Sequence, residues 1–414
     1  MERESKFLEY KSGMTNTFLK TVCAYSNYGK GEIIFGVSDD GNVTGVSDTN
    51  NFCLDIENKI NDSISPLPEY TIRINNDSTV SLIVFEGEFK PYLYKGKTYC
   101  RNDSATVECS RLETQRLILQ GKNQTFEEQS ASTQDLTFDK LNSALQNALE
   151  LENAGLDILK TLDLYSGKKG YNNAAALLSD KNDYLLLDLA KFRDDIDEIQ
   201  DRRRIEKVSI LEAYERAVDF FRQYYEYEKI EGSKRITVEL LPEKAFREAI
   251  ANALIHRTWD VNSAILVRMF NDKIEIISPG GLPPGLSESE YLEGRISSLR
   301  NPILANVFFR LNIIEMMGTG IRRIKAAYKS LSVSPEFSVT ENSISVVLPV
   351  LDFQNLSEDE KKVLALLKKS AMTRNEIENI LGMNKSKVIR LLNKLEEKSL
   401  IKRTGQSRDV KYMV

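Results

Sequence analysis

One six-residue run, Glu32-Ile33-Ile34-Phe35-Gly36-Val37, restricts the fold of this chain more than any other. Its apolar centre lies between Asn27-Tyr28-Gly29-Lys30-Gly31 and Ser38-Asp39-Asp40-Gly41. It therefore reads as a buried strand, entered through a glycine turn and left at a sheet edge. The apolar segment from Phe18 to Tyr25 just before it has helical character. A helix followed at once by a buried strand predicts a mixed helix-and-sheet core at the start of the chain.

Acids flank this strand. Glu4-Ser5-Lys6-Phe7-Leu8-Glu9-Tyr10-Lys11 stands upstream and Asp39 at the strand's end, so Glu4, Glu9, Asp39 and Lys11 would meet if an N-terminal helix packs beside the sheet. Carboxylates crowded together without basic partners repel one another, and a hard divalent cation is what makes such crowding tolerable. Mg²⁺ or Mn²⁺ held by one to three carboxylates activates a water and polarises a phosphoryl oxygen, while Lys11 would stabilise charge on the transferring phosphate. The plain alternative is that these are solvated surface acids, as most Asp and Glu are.

The pattern resembles the Schlafen core, also called the AlbA-like Schlafen domain. The residues that carry the resemblance are Glu4, Ser5, Glu9, Tyr10 and Lys11; Ala24, Tyr25, Ser26, Asn27, Gly29 and Gly31; and Gly36, Val37, Asp39, Asp40 and Gly41. It covers roughly the first 120 residues, with Lys30 in place of a usual glycine and Tyr in place of Phe at two aromatic positions. In nuclease members of the family two glutamates and an aspartate form a metal-dependent site that cleaves RNA, notably tRNA. The resemblance implies those roles for Glu4, Glu9 and Asp39, which would be the catalytic residues and the metal ligands at once.

With 414 residues the chain should hold two to four domains, each able to bury a core. Its net charge is −5, so any basic nucleic-acid face must be local. Cys23, Cys53, Cys100 and Cys109 show no Cys-x-x-Cys spacing, which argues against zinc. No apolar run approaches the roughly 18 residues of a membrane span and no signal peptide opens the sequence, so a cytoplasmic protein with free thiols and no membrane contact is expected.

Residues 1–125 alternate helix and strand. Thr71 to Ile74 and Val80 to Phe85 suit a hairpin, and Pro91 to Arg101 a further strand pair that exposes Lys95, Lys97 and Arg101 to phosphates. From Phe126 to Leu136 the polar composition suggests a linker. Residues 126–235 then read as a helical connector and the start of a middle module. Within it the Arg202-Arg203-Arg204 run is offset by acidic neighbours and reads as a solvated face.

Residues 236–351 form the second informative region. Helical spacing from Leu241 to Arg257 puts Glu248 and Asn252 one turn apart on one face, the pairing an ATP-cleaving helix uses to activate water and hold Mg²⁺. A strand pair turned at Asn271-Asp272 follows, then Ser278-Pro279-Gly280-Gly281-Leu282-Pro283, Arg300-Asn301-Pro302, and Gly318-Thr319-Gly320-Ile321. This order resembles the RecG-like, GHKL-type ATP-binding module, which implies ATP at Glu248, Asn252, Gly280, Gly281, Gly318 and Gly320. The aspartate that reads adenine in such modules is absent, Ser278 and Pro279 standing before the glycine pair. His256, the single histidine, reads as a structural residue.

Residues 352–414 hold 14 basic and 9 acidic residues, a net of +5 against −10 for the rest of the chain. Ser357 caps a first helix, Thr373 to Leu381 forms a second, Lys385 to Lys398 a third, and a small hairpin closes the segment. This is the winged form of helix-turn-helix. Lys387, Arg390 and Lys394 would line the outer face of the third helix, with Arg408 at the wing tip; the bland alternative is a protein-protein wing.

The sequence thus predicts an α+β multidomain protein made of a Schlafen-core-like domain, a GHKL-like α/β sandwich and a winged helix-turn-helix. It predicts an oligomer of this chain that acts on RNA or single-stranded nucleic acid, with a non-catalytic DNA-binding regulator as the alternative.

Overall fold

The computed structural model describes residues 2–38, 40–150, 155–193, 195–231, 234–283, 285–294, 298–316, 318–329, 331, 333–351, 357–367, 370–397, 400–404 and 410–413. Two compact units emerge, residues 1–125 and 126–414.

In the first unit the order is β1 (Leu8–Lys11), α1 (Phe18–Tyr28), β2 (Gly31–Phe35), α2 (Thr49–Ser63), β3 (Ile64–Ser65), β4 (Tyr70–Ile74) and β5 (Val80–Val84), followed by β6 (Leu93–Tyr94), β7 (Tyr99–Asn102), β8 (Ala105–Glu108) and α3 (Arg111–Gly121). The main sheet runs β1-β2-β5-β4, with β1 parallel to β2 and the other pairings antiparallel. Three expectations change. The Glu4 to Lys11 stretch, expected on a helix, is a turn leading into a strand, because the central strand β2 offers it an edge to pair with. Strand β2 alternates buried and half-buried residues rather than being buried throughout. The segments on either side of Gly96 share only a Tyr94–Lys97 bridge, since β6 pairs with β3 and β7 with β8. Phe18, Val22, Ile33, Phe35, Val80 and Leu82 are fully buried and form the centre of this unit's core. The rings of Phe18 and Phe35 meet edge to face at 5.4 Å.

The second unit begins with α4 (Asp139–Leu149), α5 (Leu156–Thr161), β9 (Tyr165–Ser166), β10 (Gly170–Tyr171), α6 (Asn173–Leu178), β11 (Leu185–Phe192), β12 (Ile199–Glu206) and α7 (Ile210–Tyr225). It continues through β13 (Glu226–Glu231), β14 (Lys234–Glu239), α8 (Glu243–His256), β15 (Ile265–Met269), β16 (Lys273–Pro279), α9 (Glu288–Glu293), α10 (Pro302–Arg310), α11 (Gly320–Ala327), β17 (Glu336–Val339) and β18 (Ser343–Pro349). A six-stranded sheet, β12-β11-β15-β16-β18-β17, takes strands from both sides of residue 235. Helix α7 packs on β11, and α8 on β16 and β18. The apolar stripe Leu211, Tyr214, Val218, Phe221 and Tyr225 of α7 is buried, as its helical spacing requires. Phe221 stacks on Phe246 of α8 at 4.5 Å.

The polar stretch from Phe126 is not a free linker. Glu127 is fully buried, and its two carboxylate oxygens accept from the backbone N–H groups of Ile303 (2.6 Å) and Leu304 (3.0 Å) at the start of α10. Those N–H groups have no partner inside the helix, and a buried helix start requires one. The triple-arginine run on β12 is exposed, and Arg202 forms a two-pronged pair with Asp188 at 2.9 and 2.7 Å.

The C-terminal segment holds α12 (Glu358–Leu367), β19 (Met372–Thr373), α13 (Arg374–Leu381), α14 (Lys385–Glu397), β20 (Lys402–Thr404) and β21 (Lys411–Met413). Ser357 accepts from the N–H of Glu360 at 3.3 Å, and Thr373 with Glu376 makes a reciprocal cap on α13. Val388, Leu391, Leu392 and Leu395 of α14 turn inward onto Val363, Leu364 and Ile377.

Candidate functional site

Strand β1 alternates its side chains, so Glu9 and Lys11 emerge on one face and Tyr10 on the other. Glu9 is buried. One of its oxygens lies 2.6 Å from Nζ of Lys11; the other accepts from Thr21 Oγ1 at 2.9 Å and pairs with the Arg101 guanidinium. Arg101 is buried as well, donating to Thr106 Oγ1 (2.9 Å) and to the Ser5 carbonyl (2.8 Å). This corrects two expectations. Arg101 is not displayed to phosphates, because β7 turns it inward. Glu9 is not an acid lacking basic partners: two cations already balance it. A buried charge needs such pairing, since desolvation is otherwise prohibitive.

Glu4 is held differently, accepting from the N–H of Tyr10 at 2.9 Å. It shares a shallow concavity with Glu2, Arg3, Tyr10, Ser38, Asp40, Gly41 and Ser104. Burial and the acids Glu2, Glu32 and Glu4 push the Tyr10 phenol up, a sign of negative potential on this side. Asp39 lies outside the described residues. The two motif halves therefore converge through Glu4, Ser38 and Asp40, while Glu9 faces its cations. As arranged, a divalent ion fits Glu9 poorly because both of its oxygens are engaged. Of the other lysines expected to face phosphates, Lys97 pairs with Glu108 at 2.7 Å, while Lys95 is exposed and lies over the Tyr94 ring.

Two of the four cysteines meet where spacing gave no hint. Cys100 on β7, Cys109 just past β8, and Glu113 in the first turn of α3 bring their ligand atoms within 4.8 Å of one another. Tyr28 Oη lies 3.5 Å from the Cys109 sulfur. Burial and the neighbouring Cys109 push the Cys100 thiol up to about 12, which keeps it protonated at neutral pH.

In the middle module Glu248 and Asn252 lie on one face of α8 and line a cleft with His256, Leu282, Gly318 and Gly320. Burial raises the Glu248 carboxyl, and Arg323, 3.9 Å away, partly offsets this. A Cβ on Gly320 would stand 2.5 Å from Asn252 Nδ2, so α11 begins directly over that amide. Gly280 and Gly281 are absent from the lining, contrary to expectation. A Cβ on Gly280 would strike Thr258 Oγ1 at 1.9 Å, and one on Gly281 the Glu341 carbonyl at 2.3 Å. Their openness serves the chain's own packing. Ser278, where a purine-reading carboxylate would stand, donates to the Ala253 carbonyl at 2.9 Å. These residues do not fit adenine recognition.

The Arg300-Asn301-Pro302 motif also has a local task. Arg300 donates to the carbonyls of His256 (3.1 Å) and Gly281 (2.5 Å), and Asn301 to those of Ile255 (2.6 Å) and Arg257 (2.9 Å). Three of these bonds, to Ile255, His256 and Arg257, satisfy carbonyls that the end of α8 leaves without helical partners, and the fourth ties that end to the glycine pair. Burial and the Arg300 charge hold His256 down to about 4, so it is neutral at pH 7.

On α14, Arg390 and Lys394 are exposed, whereas Lys387 is half-buried and pairs with Asp359 at 2.6 Å. Arg408 lies outside the described residues.

Comparison with known proteins follows the same order along the chain. Residues 4–110 match the family model described as "Schlafen, AlbA_2". The N-terminal unit is thus similar to Schlafen-type domains over residues 4–110. Residues 262–348 match the model described by the words "ATP-dependent DNA helicase recG C-terminal", and residues 351–414 match "Sugar-specific transcriptional regulator TrmB". No curated protein matches the chain. Among solved structures, the DIP2311 protein from Corynebacterium diphtheriae is 17% identical with a TM-score of 0.48, over 99% of this chain and 92% of that one. The N-terminal domain of a RecG-related protein from Nitrosomonas europaea is 19% identical with a TM-score of 0.19, over 27% of this chain and 86% of that one. Among the described residues no helix is long and apolar enough to cross a membrane.

Proposed function

We propose that this chain is a nucleic-acid-binding protein whose winged helix docks on duplex DNA as the non-catalytic element of a regulator. The observation that carries this reading is α14. Its apolar residues are spent on the small core, and its opposite face presents Arg390 and Lys394 to solvent in the one segment of the chain with a +5 balance. Such a helix enters a groove while its cations neutralise phosphates. Binding of a labelled duplex, followed by anisotropy across a salt series, tests this. Arg390→Ala with Lys394→Ala should weaken binding and lower the salt slope by roughly one for each phosphate that is no longer neutralised. Binding that ignores both salt and the double substitution would sink it.

The second reading is divalent-metal-dependent cleavage of RNA such as tRNA at Glu4, Glu9 and Asp39. It is favoured by the shared concavity of Glu4, Ser38 and Asp40 and by the Schlafen match. The cations on Glu9 oppose it, since they already engage both of its oxygens. Purified protein with tRNA and Mn²⁺ decides: cleavage that Glu4→Ala and Glu9→Ala abolish would install this reading, and an intact substrate removes it. No step of either reading runs through ATP.

A further inference from the structure

Strands β13 and β14 form a two-stranded ribbon that, among the described residues, joins no other sheet; it lies between α7 and α8 in the chain. Six consecutive pairs, from Glu226–Glu239 to Glu231–Lys234, run without a register break. At about 3.3 Å per residue the arm is roughly 20 Å long. Its root is fixed: the Leu240 N–H donates to the Tyr225 carbonyl at 2.8 Å, and Tyr225 and Leu240 are buried. Its body is bare. Tyr227, Ile230 and Ile236 are all exposed, Ile230 at 72%.

A lone two-stranded ribbon is marginal in water, and its outer edges carry unpaired backbone N–H and C=O groups. Natural edges are usually blunted by charged side chains, lysine above all, by proline or by a bulge; the charges of β14, Lys234, Arg235 and Glu239, are of both signs and can be matched by a second copy of the same strand. Strand β14, Lys234-Arg235-Ile236-Thr237-Val238-Glu239, has neither proline nor bulge.

We infer that the β14 edge pairs with the same edge of a second copy of this chain, antiparallel about a two-fold axis at Thr237. Two-fold symmetry normal to a sheet requires one residue to face its own copy, which leaves few registers to consider. Centred on Thr237, the pairing sets Arg235 opposite Glu239, Ile236 opposite Val238 and Thr237 opposite Thr237. Every cross-strand pair is then of a favourable type: opposite charges, two β-branched apolar side chains, and two threonines. Centred on Ile236, the same strand would set Lys234 against Val238 and lose the ion pairs. The β13 edge, centred on Glu228 or Lys229, would place like charges on the axis; centred on Ile230 it would match Ile230 with itself and Lys229 with Glu231, but over three residues at the ribbon's tip rather than the five of β14. The root of the ribbon supplies a second reason. Glu226 faces Glu239 across the ladder, and the Glu239 carboxylate accepts from the Glu243 N–H at 2.9 Å. Burial, with the nearby Glu243 and Glu239, raises the Glu226 carboxyl to about 7. Arg235 of a second copy, opposite Glu239, brings a cation to this acidic corner. Arg235 now pairs with Glu228 at 2.9 Å, on the same face of the ribbon.

The full chain at low micromolar concentration in sedimentation equilibrium gives the test. Wild type should show twice the 47.1 kDa chain mass. Arg235→Glu, which turns two cross-axis ion pairs into repulsions, should weaken the dimer roughly ten- to hundredfold, and Arg235→Glu with Glu239→Arg should recover most of it. Thr237→Cys should give a covalent dimer under mild oxidation, while Lys229→Cys, on the other strand, should not. A wild type that stays monomeric overturns the inference. So does a dimer indifferent to Arg235→Glu, or one that Thr237→Cys fails to cross-link.

Discussion

Glu127 ties the entry of the second unit to the start of α10, and its chemistry can be read from solution behaviour. Burial outweighs the two N–H donors and pushes its carboxyl from 4.5 to about 7. The folded state therefore binds a proton more tightly than the unfolded chain does. The stability this contributes is fully present below about pH 4.5 and is lost as pH rises through about 7, by roughly 3 kcal/mol in total. Denaturation of wild type and Glu127→Gln at about pH 4.5, 6 and 7.5 should show wild type losing stability relative to the variant as pH rises. Glu9 is the opposite kind of residue, a buried acid matched by Lys11 and Arg101. Its position in the motif was legible in the sequence. Its partner Arg101 was not, because 92 residues separate the two and only the β7–β8 hairpin turns the guanidinium inward.

Elements meet where side chains allow it, and two glycines differ in what an added side chain would strike. A Cβ at Gly281 runs into a backbone carbonyl, that of Glu341, which has no side-chain torsion to relieve it. A Cβ at Gly320 meets chiefly the end of the Asn252 side chain, which can swing away. Gly281→Ala should therefore cost roughly 1–3 kcal/mol in urea unfolding, the range for overpacking, and Gly320→Ala clearly less. Equal costs would mean that the turn at Glu341 is looser than its geometry implies. Helices α7, α8 and α14 were readable because an apolar stripe at 3.6-residue spacing is a local property. The strand character of Glu4 to Lys11 was not, because a short segment beside a central strand takes its conformation from that strand.

At the scale of the molecule each unit has its own buried cluster, one centred on Phe18, Ile33 and Phe35 and another around Leu187, Phe221, Phe246 and Phe308. A polypeptide of residues 1–125 is accordingly expected to unfold cooperatively by itself, with a sigmoidal thermal transition by circular dichroism; a featureless melt would contradict that. The order of domains, the winged helix with its excess of basic residues and the hairpin turned at Asn271-Asp272 were fixed by local pattern, because periodicity, caps and turn residues act over a few neighbours. Tertiary structure alone decided that Glu9 is neutralised, that Cys100 and Cys109 meet, that Gly280 and Gly281 serve packing, and that Glu127 caps a distant helix. Each of these depends on which groups lie within a few ångströms after folding, and charge pairing and desolvation act across that distance whatever the separation along the chain.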